Sequence, residues 1–196
     1  MLNGVPLVLA SGSPRRKDLL TLIGYAPDIV FSPDIDETPF SKELPVDLAL
    51  RLGESKASIA QARYPDSIII AGDTVVALGR RYLDKAYTDD DVRKYLSLLS
   101  GRRHQVLTSL CILGPGGKKS LKVSKNIVKL KKLTNAELDM YVQAKEGIGK
   151  AGGYAIQGKA SLFVEWVRGT TPSIMGLPTN VLFSILSGWG YNLTLD

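Results

Sequence analysis

The chain has 196 residues, of which 44% are hydrophobic and 22% are charged, a composition typical of soluble globular proteins. It contains one cysteine and one histidine, which excludes an internal disulfide and a zinc site built from Cys and His. No apolar run reaches the roughly 18 residues of a membrane-spanning helix, and the first residues lack the pattern of a signal peptide. We therefore expect residues 1–196 to form a single domain in the cytoplasm, without a membrane partner.

The net charge of +6 and the pI of about 9.4 indicate an anionic partner: nucleic acid, a membrane surface or a small ligand. Aromatic residues that could stack on bases are not interleaved with the basic residues, and no helix-turn-helix or RNA-recognition motif occurs. We therefore do not expect nucleic-acid binding as the main role, and much of the charge is assigned to a solvated face.

The first predicted strand, Leu7 to Ala10, leads into a small polar turn and a helix that ends at Gly24. Ser13 is suited to the N-cap of this helix, and the proline that follows is suited to its first position. The helix N-terminus and its free N–H groups favour an anion, which would also compensate the unfavourable placement of Arg15 and Arg16 in the first turn. A plain strand-to-helix turn with arginines facing solvent is the alternative.

A short strand, Ile29 to Phe31, precedes an acidic loop that contains Glu37. The next helix is predicted from roughly Val46 to Ala62. Lys56 falls in the middle of the apolar stripe of this helix, where lysines are almost never buried unpaired. Its side chain either extends past the edge of the core or reaches an anionic partner inside a cleft.

Residues 68 to 76, Ile-Ile-Ile-Ala-Gly-Asp-Thr-Val-Val, predict a strand that is buried on both faces. Asp73 interrupts this strand, and an ionised carboxylate there must be paired, hydrogen-bonded or bound to a metal. Gly72 lacks a side chain and lets another group approach the backbone closely. The pattern alone leaves open whether Asp73 caps a turn at the strand's end or belongs to a functional site.

The next helix is predicted to begin after Thr88, with three aspartates in its first turn. Helix capping explains these aspartates better than a metal site does. Two long strands, His104 to Leu113 and Lys118 to Leu130, are joined by a glycine-rich hairpin connection. His104 is predicted to be structural rather than a general base.

A capping box that begins at Thr134 opens a short helix. The glycine-rich residues 147–153 lead to Gln157, a polar side chain between apolar neighbours and glycine. A strand is predicted from Leu162 to Val167, and the last helix follows Gly176. Together, the elements predict an α/β protein with a central mixed β-sheet, flanking helices and two lobes around a cleft.

A series of motifs runs through the chain in a fixed order from residue 7 to residue 178. The motifs are Leu9-Ala10-Ser11-Gly12-Ser13-Pro14-Arg15-Arg16, Asp36-Glu37, Glu54-Ser55-Lys56-Ala57, Ala71-Gly72-Asp73-Thr74-Val75-Val76, Leu83-Asp84-Lys85, Leu99-Ser100-Gly101, His104-Gln105-Val106, Gly149-Lys150-Ala151-Gly152-Gly153-Tyr154-Ala155-Ile156-Gln157-Gly158 and Gly176-Leu177-Pro178. By this series the sequence resembles the Maf (septum-formation-inhibitor) nucleotide pyrophosphatases, over nearly the whole chain.

The resemblance implies a single Maf-like domain with a nucleotide-binding cleft. It implies hydrolysis of nucleoside triphosphates to the monophosphate and pyrophosphate, with a divalent metal cation, Mg²⁺ or Mn²⁺, as cofactor. The implied catalytic residues are Asp73, Lys56 and Lys85. The implied metal ligands are Asp73 and Glu37. The implied substrate-binding residues are Ser13, Arg15, Arg16, Glu37, Thr74 and Gln157.

Arg15, Thr74 and Gln157 stand at the three positions that separate the family's subgroups. The combination resembles the subgroup that acts on dTTP and UTP; the subgroup acting on methylated guanine nucleotides typically has Trp, Gln and Glu there. The sequence leaves open an ordinary or a modified pyrimidine substrate, a homodimer, and the alternative role of a non-catalytic nucleotide-binding regulator of cell division. Two features depart from the family pattern: Ala86 replaces a proline, and residues 169–175 differ.

Overall fold

The computed structural model describes residue 2 and residues 4–191. Its strands are β1 (Leu7–Ala10), β2 (Ile29–Phe31), β3 (Ile68–Ala71), β4 (Thr74–Leu78), β5 (Arg81–Leu83), β6 (Arg103–Gly114), β7 (Lys118–Leu130) and β8 (Val164–Arg168). Its α-helices are α1 (Pro14–Leu22), α2 (Pro45–Arg63), α3 (Asp89–Leu99), α4 (Asn135–Gln143), α5 (Thr171–Met175) and α6 (Thr179–Gly188). The described strands form one mixed eight-stranded sheet, which confirms the predicted α/β fold.

The long strand β6 joins the parts of the sheet. On one side, β3 pairs with the second half of β6, and the parallel strands β1 and β2 continue the sheet outward. On the same side, β4 pairs with the first half of β6 and is followed by β5. On the other side, β7 pairs with β6 over its whole length and then with β8. Neighbouring sections of β6 therefore support two different groups of strands.

The predicted strand over residues 68 to 76 is in fact two strands, β3 and β4, separated by Gly72 and Asp73. The register does not change across the interruption, because Ala71 lies opposite Cys111 and Thr74 lies opposite Thr108. At the interruption the Asp73 N–H donates to Ser109 Oγ at 2.9 Å, and the Ser109 N–H donates to the Asp73 carbonyl at 2.9 Å. The Ser109 hydroxyl thus accepts the hydrogen bond that a backbone carbonyl accepts in a regular antiparallel sheet.

The hydrophobic core is divided between the two ends of β6. One cluster packs β4, β5 and the first part of β6 against α3 and α4. Other clusters pack β1, β3 and the last part of β6 against α1, α2 and α6. Because the interruption between β3 and β4 lies where these clusters meet, polar side chains at that point can face a cleft rather than a core.

Most predicted elements are present with small changes at their ends. The hairpin of β6 and β7 is confirmed, and so are the capping boxes of α3 and α4, which begin at Thr88 and Thr134. The strand predicted from Leu162 starts two residues later, because residues 159–163 form a 3₁₀ turn. The short helix α5 was not predicted. Within the described part of the chain, no helix is both long and apolar enough to cross a bilayer.

Gly72 is required by the close approach of β6. An added Cβ would lie 2.2 Å from the Ser109 carbonyl oxygen, and this oxygen belongs to backbone that is fixed in the sheet. We expect Gly72→Ala to lower the free energy of unfolding by about 2 kcal/mol, as overpacking of a close-packed interior does. The measurement is urea denaturation.

Gly188→Ala is the matched control, because a Cβ at Gly188 meets no atom within 4 Å. It should not destabilise the protein, since alanine is the better helix former at the end of α6. Equal stability of the two variants would contradict the packing argument.

Candidate active site

A cleft of about 620 Å³ opens where the two parts of the core meet. Its walls come from the loop between β1 and α1, the acidic loop, α2, the interruption between β3 and β4, the residues after β5, and the glycine-rich segment. All nine residues that the sequence singled out as catalytic, metal-binding or substrate-binding line it: Ser13, Arg15, Arg16, Glu37, Lys56, Asp73, Thr74, Lys85 and Gln157. The fold therefore brings these nine together; their individual roles stay predictions.

Lys56 connects the two carboxylates of the cleft. Its Nζ lies 2.6 Å from Glu37 Oε1 and 2.6 Å from Asp73 Oδ1. The residue is only 8% exposed, so its charge is compensated inside the protein rather than by water. Of the two alternatives for Lys56, the structure shows the anionic partner.

Glu37 is also paired with Lys85, whose Nζ donates to Glu37 Oε2. Burial raises the pKa of Glu37, but hydrogen bonds from Lys56 and Lys85 outweigh this effect and the pKa lies below its usual value. For Lys85, burial lowers the pKa, and the hydrogen bond and charge of Glu37 more than compensate, so the pKa is raised. Both groups are therefore charged at neutral pH.

Arg16 is buried and held by neutral acceptors. Its Nε donates to the Gly176 carbonyl at 2.8 Å, Nη1 donates to Ser11 Oγ at 2.9 Å, and Nη2 donates to Thr74 Oγ1 at 3.1 Å. Burial lowers its pKa, while the charges of Asp73 and Glu37 act in the opposite direction. The guanidinium is thus fixed in orientation without a carboxylate in direct contact.

Lys150 is a cleft residue that the sequence analysis did not select. It is half-buried, and its Nζ donates to the Ile148 carbonyl at 3.2 Å. Burial, and then the nearby charge of Arg15, lower its pKa. The sequence feature that could have identified Lys150 is its position within a glycine-rich segment, because a ligand can approach the backbone of such a segment closely.

The cleft is electropositive. Its described lining contains five cationic side chains and two carboxylates. Arg15 and Lys150 form no ion pair with any described residue, whereas Lys56 and Lys85 do. The uncompensated charge favours an anionic ligand with several negative charges.

Ser13 and Gln157 lie far apart in the sequence but line the same cleft. Ser13 occupies the N-cap position of α1, as predicted, but its hydroxyl makes no capping hydrogen bond. The first N–H groups of α1 therefore have no side-chain cap beside the cleft. Gln157 is exposed and lies in a turn, next to the apolar side chain of Ile156.

His104 is buried outside the cleft lining, in agreement with the structural role predicted for it. Its Nε2 lies 2.7 Å from Tyr154 Oη, and Tyr154 belongs to the cleft wall. The two rings make an edge contact with centroids 5.4 Å apart. Burial lowers the pKa of His104 to about 4, so the imidazole is neutral at physiological pH.

A family model described as Maf-like protein matches residues 6–189. A relative from Sphingopyxis alaskensis, named dTTP/UTP pyrophosphatase, is 48% identical over 187 residues, which are 95% of this chain and 98% of the relative. A protein of the same name from Caulobacter vibrioides is 48% identical over 191 residues, covering 97% and 99%. The solved structure of the Staphylococcus aureus Ham1 protein, 16% identical, has a TM-score of 0.53 and covers 94% of this chain and 99% of that chain; it supports the fold alone.

The buried His104 makes stability depend on pH. The unfolded chain protonates this imidazole near pH 6.5, whereas the folded chain does so only near pH 4. Stability is therefore fully present above pH 6.5 and is lost as the pH falls toward 4. Between these values, wild type should lose on the order of 3 kcal/mol more than His104→Gln, which cannot ionise. Urea denaturation at several pH values measures the free energy of unfolding of both proteins. If the two free energies fell equally with pH, the prediction would be contradicted.

Proposed function

The chain belongs to the Maf family, and we propose that it is a nucleoside triphosphate pyrophosphatase that hydrolyses dTTP and UTP to the monophosphate and pyrophosphate. The names of its relatives support this activity and these substrates. The observation that carries the proposal is the cleft itself, whose lining combines Asp73, in contact with Lys56, with five cationic side chains.

The reaction places strong electrostatic demands on the protein. Water attacks the α-phosphorus while negative charge develops on the departing pyrophosphate, so catalysis depends mainly on positioning and on stabilising that charge. Arg16 suits this task because its guanidinium is already oriented by three hydrogen bonds. Preformed cations in a partly buried cleft need little reorganisation when the charge moves.

Asp73 is proposed as the general base. One of its oxygens, Oδ1, accepts a hydrogen bond from Lys56, while Oδ2 receives none from a described residue. The free oxygen can accept the proton of the attacking water, and Lys56 keeps the carboxylate in place. The main chain of Asp73 is held by Ser109, so the side chain projects from a rigid part of the sheet.

The carboxylates of Asp73 and Glu37 fit a divalent cation, Mg²⁺ or Mn²⁺. Both contact the same Lys56 nitrogen and so lie close together, and their hard oxygen donors suit Mg²⁺. Among the described residues, no group of three or more acidic, His or Cys side chains is arranged to hold a metal ion. Mg²⁺ commonly takes one or two carboxylates and completes its shell with phosphate oxygens and water. When bound, it would supply Lewis-acid stabilisation of phosphate oxygens.

The activity is tested with a panel of nucleotides and Mg²⁺ or Mn²⁺, scored for pyrophosphate release. Asp73→Asn should reduce turnover by on the order of 10² or more while triphosphate still binds, because a positioned base is lost. Asp90→Asn, at an exposed position of α3, is the matched control and should retain wild-type turnover. Turnover of Asp73→Asn within a fewfold of wild type would refute the assignment of the base.

Gln157 is proposed to recognise the hydrogen-bonding edge of the pyrimidine base. Its carboxamide has a donor and an acceptor, which can pair with N3–H and a neighbouring carbonyl of thymine or uracil at once. We expect Gln157→Glu to lower kcat/KM for dTTP and UTP about tenfold, because a polar group of the base is left unpaired.

The readout is kcat/KM for dTTP, UTP, CTP and GTP. The control is Gln143→Glu, an exposed substitution at the end of α4 that should leave the ranking unchanged. The pocket assignment fails if wild type does not prefer dTTP and UTP over CTP, or if Gln157→Glu preserves that preference.

A further inference from the structure

Thr108 is fully buried and lies behind Thr74, on the central strand β6. We infer that Thr108 is a positioning residue, which orients Arg16 for phosphate binding through the hydroxyl of Thr74. The inference rests on the proposed function, because it assumes that Arg16 binds the phosphates of the substrate.

The distances define a chain of hydrogen bonds. Arg16 Nη2 lies 3.1 Å from Thr74 Oγ1, Thr74 Oγ1 lies 3.3 Å from Thr108 Oγ1, and Thr108 Oγ1 lies 2.7 Å from the Ser173 carbonyl oxygen. We call Thr74, Thr108 and the Ser173 carbonyl the hydroxyl chain. It crosses from the cleft wall through β4 and β6 to α5.

The ends of the hydroxyl chain fix its direction. A guanidinium only donates and a carbonyl only accepts. The single hydrogen of Thr108 is directed to the Ser173 carbonyl, so Thr74 must donate to Thr108 while it accepts from Arg16. Such unidirectional chains strengthen cooperatively in a buried setting.

The far end of the hydroxyl chain is rigid. Ser173 is fully buried, and its hydroxyl accepts a hydrogen bond from Asn126 Nδ2 at 2.9 Å. Asn126 Nδ2 also donates to the Val106 carbonyl at 3.2 Å, and Asn126 Oδ1 accepts from the Thr170 N–H at 3.2 Å. The start of the α5 segment is thereby attached to β7 and β6.

The α5 segment contacts Arg16 in two ways. The Gly176 carbonyl accepts directly from Arg16 Nε, and the Ser173 carbonyl acts through the hydroxyl chain. With Ser11, these contacts use three of the five N–H groups of the guanidinium, and the remaining two are one on each terminal nitrogen. That pair is suited to bidentate binding of a phosphate.

This arrangement gives a role to the segment 169–175, which departs from the family pattern. The Ser173 carbonyl ends the hydroxyl chain, and the buried Ser173 hydroxyl holds the segment against Asn126. It also assigns a role to Thr74, which stands at one of the positions that separate the subgroups of the family. In this arrangement Thr74 orients Arg16 and does not contact the base.

The test compares Thr108→Val and Thr108→Ser in the wild-type background and in an Arg16→Lys background. Arg16→Lys keeps the charge but removes the planar group that Thr74 orients. The probe is inorganic tripolyphosphate, with its dissociation constant measured by titration calorimetry, and KM and kcat for dTTP are measured in parallel. Thermal unfolding monitors stability.

We expect Thr108→Val to weaken tripolyphosphate binding about fivefold in the wild-type background, the effect of one hydrogen bond. KM for dTTP should rise in parallel, and kcat should also fall, because Arg16 is proposed to stabilise the charge that develops on the pyrophosphate. Thr108→Ser should bind as wild type does. In the Arg16→Lys background Thr108→Val should have no further effect, because a residue that acts through Arg16 cannot add to its loss.

Thr21→Val, an exposed change on the same helix as Arg16, is the control and should leave binding unchanged. If Thr108→Val does not fold, Thr74→Val breaks the hydroxyl chain one residue earlier and must show the same dependence on Arg16. Equal effects in the two backgrounds, no effect in either, or a wild type that does not bind tripolyphosphate would overturn the inference. Binding that follows these expectations without dTTP hydrolysis would instead overturn the proposed function.

Discussion

One buried ammonium group links the separate parts of the cleft. Lys56 of α2 contacts Asp73 from the interruption between β3 and β4, and Glu37 from the acidic loop. Buried charges are costly unless they are paired, and removing one partner typically costs about 3–5 kcal/mol. Lys56 and Asp73 are both buried and therefore depend on each other, while Glu37 is partly exposed and is also paired with Lys85. The pairing connects a helix, a strand end and a loop.

The five cationic side chains of the cleft differ in how their charge is compensated, and this difference distinguishes two parts of the cleft. Lys56 and Lys85 are paired with carboxylates, which places them where a metal ion and the reacting phosphate are proposed. Arg16 is held by neutral oxygens, and Arg15 and Lys150 form no ion pair with a described residue. A polyphosphate would supply the missing negative charge, so ligand binding is favoured by charges that folding leaves uncompensated.

The sequence by itself determined the features that depend on near neighbours. Capping boxes, the glycine-rich hairpin connection and the turn before α1 are set by residues a few positions apart, so their local chemistry was readable. Lys56 on an apolar stripe and Asp73 in an apolar strand were recognisable because a charge in such a place needs a partner. The family motifs then grouped nine residues, all of which line one cleft.

Only the tertiary structure decided which partners those residues have. Arg16 and Gly176 are 160 positions apart, and Thr108 and Ser173 are 65 apart, so no local periodicity could relate them. Likewise, the strand is interrupted at Asp73, where Ser109 of β6 accepts from the Asp73 N–H through its hydroxyl and donates its own N–H to the Asp73 carbonyl. Local pattern reports whether a residue is buried and in which element it lies. The atom it contacts depends on how distant strands pair, since a hydrogen bond requires a specific distance and direction.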